Sequence, residues 1–300
     1  MFTHILVPLD GSRLAESVLP TASYLAKLFS ASITLIHVIE KNAPHEIHGE
    51  RHLGEPEEAE AYLREVADRS FPTGTVIDWH VHSAAVEGVA TSIAAHVGEL
   101  DSDLVVMCTH GHGGVKDVFF GTIAQQVIAA GKTPVLILYP EEDSTTRLFS
   151  FNHRDILVPL DGQPEHEQAL DKIKDLARAC GASLYLVLVA PTRETLPGKW
   201  SITRRMLPGS TSELLNMEAQ SAEEYLLFYK NELENDGFRV TTEVLRGDPV
   251  EAIGEQAEKL QVGLIALGTH GKSPLDAFWE GSVGPKIYKQ SKIPLLVIPV

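Results

Sequence analysis

Four residues near the C-terminus have the types and spacing to hold a phosphate chain. Gly268, Gly271, Gly281 and Ser282 form the pattern G-x2-G-x9-G-S, between an apolar run and a helical one. Glycine lets a backbone turn sharply and come close to a ligand. A helix starting at Gly281–Ser282 would offer free N–H groups and its positive end to phosphate oxygens, with the serine hydroxyl as a further donor. The same glycines also suit a plain strand-to-helix turn. Gly271-Lys272-Ser273 imitates the end of a P-loop, G-x4-G-K-[ST]. The required first glycine is Ala266, however, and Pro274 follows at once, so the P-loop reading is rejected. A G-x-G-x-x-G fingerprint after the first strand is also missing; Asp10-Gly11-Ser12 and Asp161-Gly162-Gln163 stand there instead.

Other residues suggest chemistry less directly. His110 and His270 lie inside glycine segments, where each could donate to phosphate, act as a general base or cap the turn. Neither has an aspartate partner evident in sequence, so a triad is unsupported. His48 and His52 have the four-residue spacing of metal ligands on a helix, but Gly49 and Gly54 weaken a helix there and no H-E-x-x-H pattern exists. The expectation for this stretch is a solvated loop covering a ligand cleft, without metal. Cys108 and Cys180 are too few for a disulfide framework and read as small buried hydrophobes in a reducing compartment. Lys199–Leu207 is a basic stretch in an acidic chain, suited to a lid, a partner-docking loop or a plain surface loop.

The elements that position these residues alternate. Ile5–Leu9 is a short apolar run that suits a strand buried on both faces. Ser12 then offers an N-cap for a helix through Leu28, with a kink expected at Pro20. Strands follow at 32–39, 76–81, 104–107 and 135–138, and helices at 57–67, 86–97 and 122–130. Val76–Val81 alternates apolar and polar residues, as an edge strand does. A second series repeats the order, with strands at 156–160, 183–189, 239–245, 264–267 and 295–298. Its helices fall at 165–179, 213–233, 250–260 and 282–290. Strands alternating with helices make a parallel sheet covered on both faces, which binds ligands beyond the carboxyl ends of its strands.

The repetition is literal. HILVPLDGS from His4 returns as DILVPLDGQ from Asp155. THGHGGVKDVFFGT from Thr109 returns as THGKSPLDAFWEGS from Thr269, and KTPVLILYP from Lys132 as KIPLLVIPV from Lys292. These are two whole domains, 1–142 and 153–300, joined by the polar segment Glu141–His153.

V-P-L-D-G-S after the first strand, G-x2-G-x9-G-[ST] after the fourth and a closing P-V-L-I strand resemble the universal stress protein A family, in tandem over both halves. The resemblance implies α/β architecture: two Rossmann-like domains, each a five-stranded parallel sheet of order 3-2-1-4-5 flanked by helices. Their last strands would pair in an intrachain pseudo-dimer. Many members bind ATP and others do not. Carried onto the second copy, Asp161, beside Pro159 and Leu160, would contact the nucleoside, and Val189 would offer backbone to adenine. Gly268, His270, Gly271, Lys272, Gly281, Ser282 and Val283 would surround ribose and phosphates. In the first copy the matching residues are Asp10, Val38, Gly111, Gly121 and Thr122. Cys108 replaces the first motif glycine there, and a Cβ at that point could crowd a ligand or bar positive φ. The second copy is therefore expected to be the main nucleotide site.

Composition limits the remaining choices. The apolar share is 44% and the charged share 22%, ordinary for a globular protein. The net charge of −16 repels nucleic acid and anionic membranes. No apolar run is long enough to span a bilayer, and the chain enters a strand pattern directly after Met1, so a cytoplasmic protein is expected. The leading expectation is a stress-response protein that binds ATP with Mg²⁺ as a regulatory ligand. It would have an unidentified protein partner and could form a homodimer. The alternatives are a slow ATP hydrolase or nucleotidyl-transfer enzyme using His270 or Asp161, and a nucleotide-free interaction scaffold.

Overall fold

Ile5, Leu6 and Val7 are completely buried, as a strand enclosed on both faces must be. The computed structural model describes residues 1–41, 46–47, 50–51, 53–108, 122–130, 132–139, 155–196, 208–269 and 293–300. It divides into two units. One comprises Met1–Phe151, Thr269–Glu280 and Pro294–Val300; the other comprises Asn152–Gly268 and Gly281–Ile293.

The first unit is built on β1 (His4–Pro8), β2 (Ser32–Glu40), a short pair β3 (Glu46–Ile47) and β4 (Glu50–Arg51), β5 (Ile77–Val86), β6 (Leu104–Cys108) and β7 (Val135–Leu138). Its helices are α1 (Arg13–Glu16), α2 (Leu19–Phe29), α3 (Pro56–Ser70), α4 (Val89–Glu99) and α5 (Thr122–Ala130). The sheet order β5-β2-β1-β6-β7 is the expected 3-2-1-4-5, all parallel, with β1 central.

In the second unit, β8 (Asp155–Leu160), β9 (Ser183–Ala190), β10 (Val240–Arg246) and β11 (Leu264–Thr269) are parallel in the order β10-β9-β8-β11. They alternate with a 3-10 turn (Pro164–Gln168), α6 (Ala169–Cys180), α7 (Pro208–Asn235) and α8 (Pro249–Leu260). The C-terminal strand β12 (Leu295–Pro299) groups with the first unit, where it runs antiparallel to β7 with Leu296 opposite Leu136. This pairing covers the ladder groups that β7 would otherwise expose.

The helices follow from local chemistry. In α6, Ala169, Leu170, Ile173, Leu176 and Ala177 form one buried stripe at helical spacing, and Gly181 closes the helix in the left-handed conformation. Asp248 caps α8 by accepting from Val250 N at 2.9 Å and Glu251 N at 3.3 Å. The helix expected from Ser12 through Leu28 is two helices, interrupted at Ser17–Val18; Pro20 sits in the first turn of α2, where its missing N–H costs nothing. The expected strand at 76–81 continues to Val86 as β5, and the helix expected at 213–233 begins at Pro208. Part of the stretch expected to be a loop is the antiparallel β3–β4 pair, Glu46 opposite Arg51. His45, His48 and His52 lie outside the described residues, as do the linker, Lys199–Leu207 and the helix expected at 282–290.

Gly11 has φ +91° and its Cα faces the Leu53 side chain, which an added Cβ would meet at 3.0 Å. Gly11→Ala should lower the unfolding free energy by about 1–3 kcal/mol. A urea titration would show a lower midpoint at unchanged slope. Gly54→Ala, with open space around the glycine, should leave the midpoint nearly unchanged.

Candidate functional site

Parallel strands leave the sheet at the same end, so residues far apart in sequence collect there. In the first unit the carboxyl ends of β1, β2 and β6 enclose a cavity of about 100 Å³. Pro8, Leu9 and Asp10 line it from the first strand; Ile36, His37, Val38 and Glu40 from the second; and Met107 and Cys108 from β6. Val89 and Ile93 of α4 and Ile123 of α5 complete the wall.

The turn after β1 is fixed by its own side chains. Asp10 Oδ1 accepts from Ser12 N at 2.9 Å and from the Ser12 hydroxyl at 2.7 Å. The same hydroxyl oxygen accepts from Ala15 N at 3.1 Å, capping α1 as expected. His37, buried beneath this turn, places Nδ1 2.8 Å from the Leu9 carbonyl oxygen. Its Nε2 lies 3.1 Å from the Leu53 carbonyl. One ring thus spans from the end of β1 to the segment that packs over Gly11.

The cavity's charge is acidic. Asp10 and Glu40 line it, and no lysine or arginine does so among the described residues. A polyanion there would depend on backbone donors following β6. Of the first-copy candidates, Asp10 and Val38 both line the cavity, and Thr122 opens α5 next to Ile123. Gly111 and Gly121 lie outside the described residues.

The second unit repeats the strand-end geometry with different chemistry. Asp161 Oδ1 accepts from Gln163 N at 3.0 Å, and Gly162 takes φ +78°. A glutamine now stands where serine capped a helix, and a 3-10 turn follows. Pro159 and Leu160 end β8, opposite Val187 and Leu188 of β9, so Asp161 and Val189 follow one residue further along adjacent strands. Gly268 lies near the end of β11, the other neighbour of β8. Asp161 is exposed, and Pro159, Leu160, Val189 and Gly268 are half-buried, so this edge is reachable from solvent. His270, Gly271, Lys272, Gly281, Ser282 and Val283 lie outside the described residues, as does His110.

The universal stress protein family matches residues 1–138 and 152–299. The chain belongs to that family. A universal stress protein of Methanocaldococcus jannaschii is 29% identical over 150 residues, covering 49% of this chain and 82% of that protein. One from Mycolicibacterium smegmatis is 22% identical over an alignment covering 98% of this chain and 96% of the relative. The crystal structure of a universal stress protein from Archaeoglobus fulgidus superposes with a TM-score of 0.67 at 17% identity, covering 99% of this chain and 96% of the other. That likeness establishes the fold.

Sequence reasoning singled out Asp10 and Val38 but passed over Pro8, Leu9, His37, Glu40, Met107 and Ile93. His37 carried a readable signal, a histidine within the apolar strand SITLIHVIE. A polar group there needs partners from outside the strand.

Cys108 and Cys180 are not in disulfides. Burial, aided by Asp10, pushes the Cys108 thiol up to about 12, which removes the reactive thiolate near neutral pH. Treatment of the native protein with iodoacetamide at pH 8 should leave Cys108 unmodified by peptide mass analysis. The guanidinium-unfolded chain should be labelled there. Rapid native labelling would contradict the burial.

Proposed function

We propose that this universal stress protein binds an adenine nucleotide, ATP with Mg²⁺, as a regulatory ligand, and does so mainly through its second repeat. The observation that carries the reading is the second repeat's complete G-x2-G-x9-G-S sequence, whose first glycine, Gly268, lies on β11 next to the strand that Asp161 follows. Asp161 would accept from the nucleoside, and Val189 would present backbone to the base. Gly268, Gly271, Gly281 and Ser282 would approach the ribose and phosphates, flanked by His270, Lys272 and Val283. Backbone donors suit a chain of net charge −16, whose overall field opposes a triphosphate. Bound ATP would supply the phosphate oxygens that carry Mg²⁺.

The first repeat would be the weaker site. Its cavity is lined by Asp10 and Glu40, and Cys108 occupies the position of Gly268. The chemistry supports a ligand-responsive binding protein acting in a stress response. Its ligand would shift the population of a surface that a protein partner reads. A cytoplasmic location fits, since no helix among the described residues is long and apolar enough to cross a membrane.

Small molecules released from the purified, denatured protein should include an adenine nucleotide by mass analysis. In calorimetric titration with ATP and Mg²⁺, Gly281→Val should weaken binding at least tenfold, and Gly121→Val should change it far less. Unaltered binding in Gly281→Val would overturn the assignment to the second repeat. Absence of any nucleotide binding would favour an interaction scaffold. ATP turnover lost in His270→Ala would instead make the protein a slow hydrolase.

A further inference from the structure

Three histidines meet on the opposite side of the first unit's sheet from α3. His80 and His82 are two residues apart on β5, so both side chains point to one face of the sheet. The intervening Val81 packs with Ile39, Leu53 and Ala59 on the other face, and Trp79 lies under the Arg64 guanidinium of α3. His96, from the last turn of α4, completes the group: its ring centroid is 4.7 Å from that of His80 and 5.0 Å from that of His82. One ligand nitrogen from each ring can be chosen so that all lie within 4.8 Å of one another.

We propose that His80, His82 and His96 form a binding site for a zinc-class divalent cation, with the Glu99 carboxylate as fourth ligand. Two features favour a metal over simple packing. First, His96 Nδ1 donates to the Ser92 carbonyl at 2.7 Å. A carbonyl only accepts, so the proton belongs on Nδ1, and the Nε2 lone pair is directed to the cluster. Metal-bound histidines are oriented this way by a second bond to backbone or carboxylate. Second, His80 Nε2 is buried and has no hydrogen-bond partner among the described residues. A buried polar atom left unsatisfied is costly, and a cation would satisfy it.

Glu99 Oε2 lies 3.6 Å from His96 Nε2. Ligand atoms around tetrahedral zinc sit ~3.3 Å apart, given bonds of about 2.0–2.1 Å. Small rotations of the rings would therefore close the set. Three imidazoles and one carboxylate suit Zn²⁺, Co²⁺, Ni²⁺ or Cu²⁺ and not the hard ions Mg²⁺ and Ca²⁺. The site stands at the sheet edge and does not draw on the nucleotide reading. Its sequence signal is the His-x-His of a strand followed by a helix histidine. The four-residue spacing of His48 and His52 draws attention first.

The test is titration of the full, tag-free chain with Zn²⁺ against a chromogenic chelator, and with Co²⁺ by visible absorption. The expected result is one ion per chain, with the strong visible bands of four-coordinate Co²⁺. His82→Gln and His96→Gln should each weaken Zn²⁺ at least about tenfold. Glu99→Gln should weaken it less, and Mg²⁺ should not compete. His82 is the less buried of the two and keeps the test valid if His96→Gln fails to fold by circular dichroism. Absence of Zn²⁺ binding at tens of micromolar overturns the proposal. So does affinity unchanged in His82→Gln, or binding abolished by His48→Ala.

Discussion

A strand with no exposed face must receive its chain at one end and release it at the other, and β1 is such a strand. Ile5, Leu6 and Val7 have no accessible surface, with β2 on one side and β6 on the other. All three are parallel, so none can be joined to the next by a tight hairpin. Each connection must cross over through a helix, and every strand must end at the same edge. That constraint brings residues 10, 38 and 108 around one cavity. Applied to β8, β9 and β11, it brings the residues after Leu160 and Leu188 alongside Gly268. The shared strand-end edge is thus a consequence of burying the central strands.

The two repeats use this edge differently. In the first, Ser12 joins Asp10 to the start of α1, and Gly11 allows Leu53 to pack over the turn. His37 holds the same region from below through the Leu9 carbonyl. In the second, Asp161 keeps its contact with the backbone two residues on, but Gln163 replaces the capping serine. Gly268 stands where Cys108 walls the first cavity.

Edge strands carry the other divergence. A central strand can hold a polar side chain only where it finds partners, as His37 does between two carbonyls, whereas an edge strand meets solvent and a single neighbouring strand. β5 has gained His80 and His82 facing α4. The corresponding strand of the second unit, β10, contains no histidine. There the edge strand and the following helix meet through Gln256, which donates to Glu243. The same architectural position thus holds a trio of imidazoles in one repeat and a neutral–acid pair in the other.

Much of this fold is legible in the chain because its signals are local. The run Ile5–Leu9 ending in Asp-Gly, the literal return of that run at Ile156, and the helical stripe of α6 each depend on neighbours within a few residues. So does the cap formed by Ser12. The split between α1 and α2 was less legible, since a proline two residues into a helix and one inside a helix look alike in sequence. The length of β5 was hidden as well: Ser83–Val86 lacks apolar alternation, and pairing with β2 through Glu40 and Val86 extends the strand. The aspartates that follow β1 and β8 could be named from the repeated motif alone. His37 between two carbonyls and His96 against His80 and His82 could not. Those contacts join residues 14 or more positions apart, and only the crossover of chain between parallel strands sets their distance. Local periodicity dictates which element forms; which side chains then share a cavity is settled by how the buried faces of those elements pack.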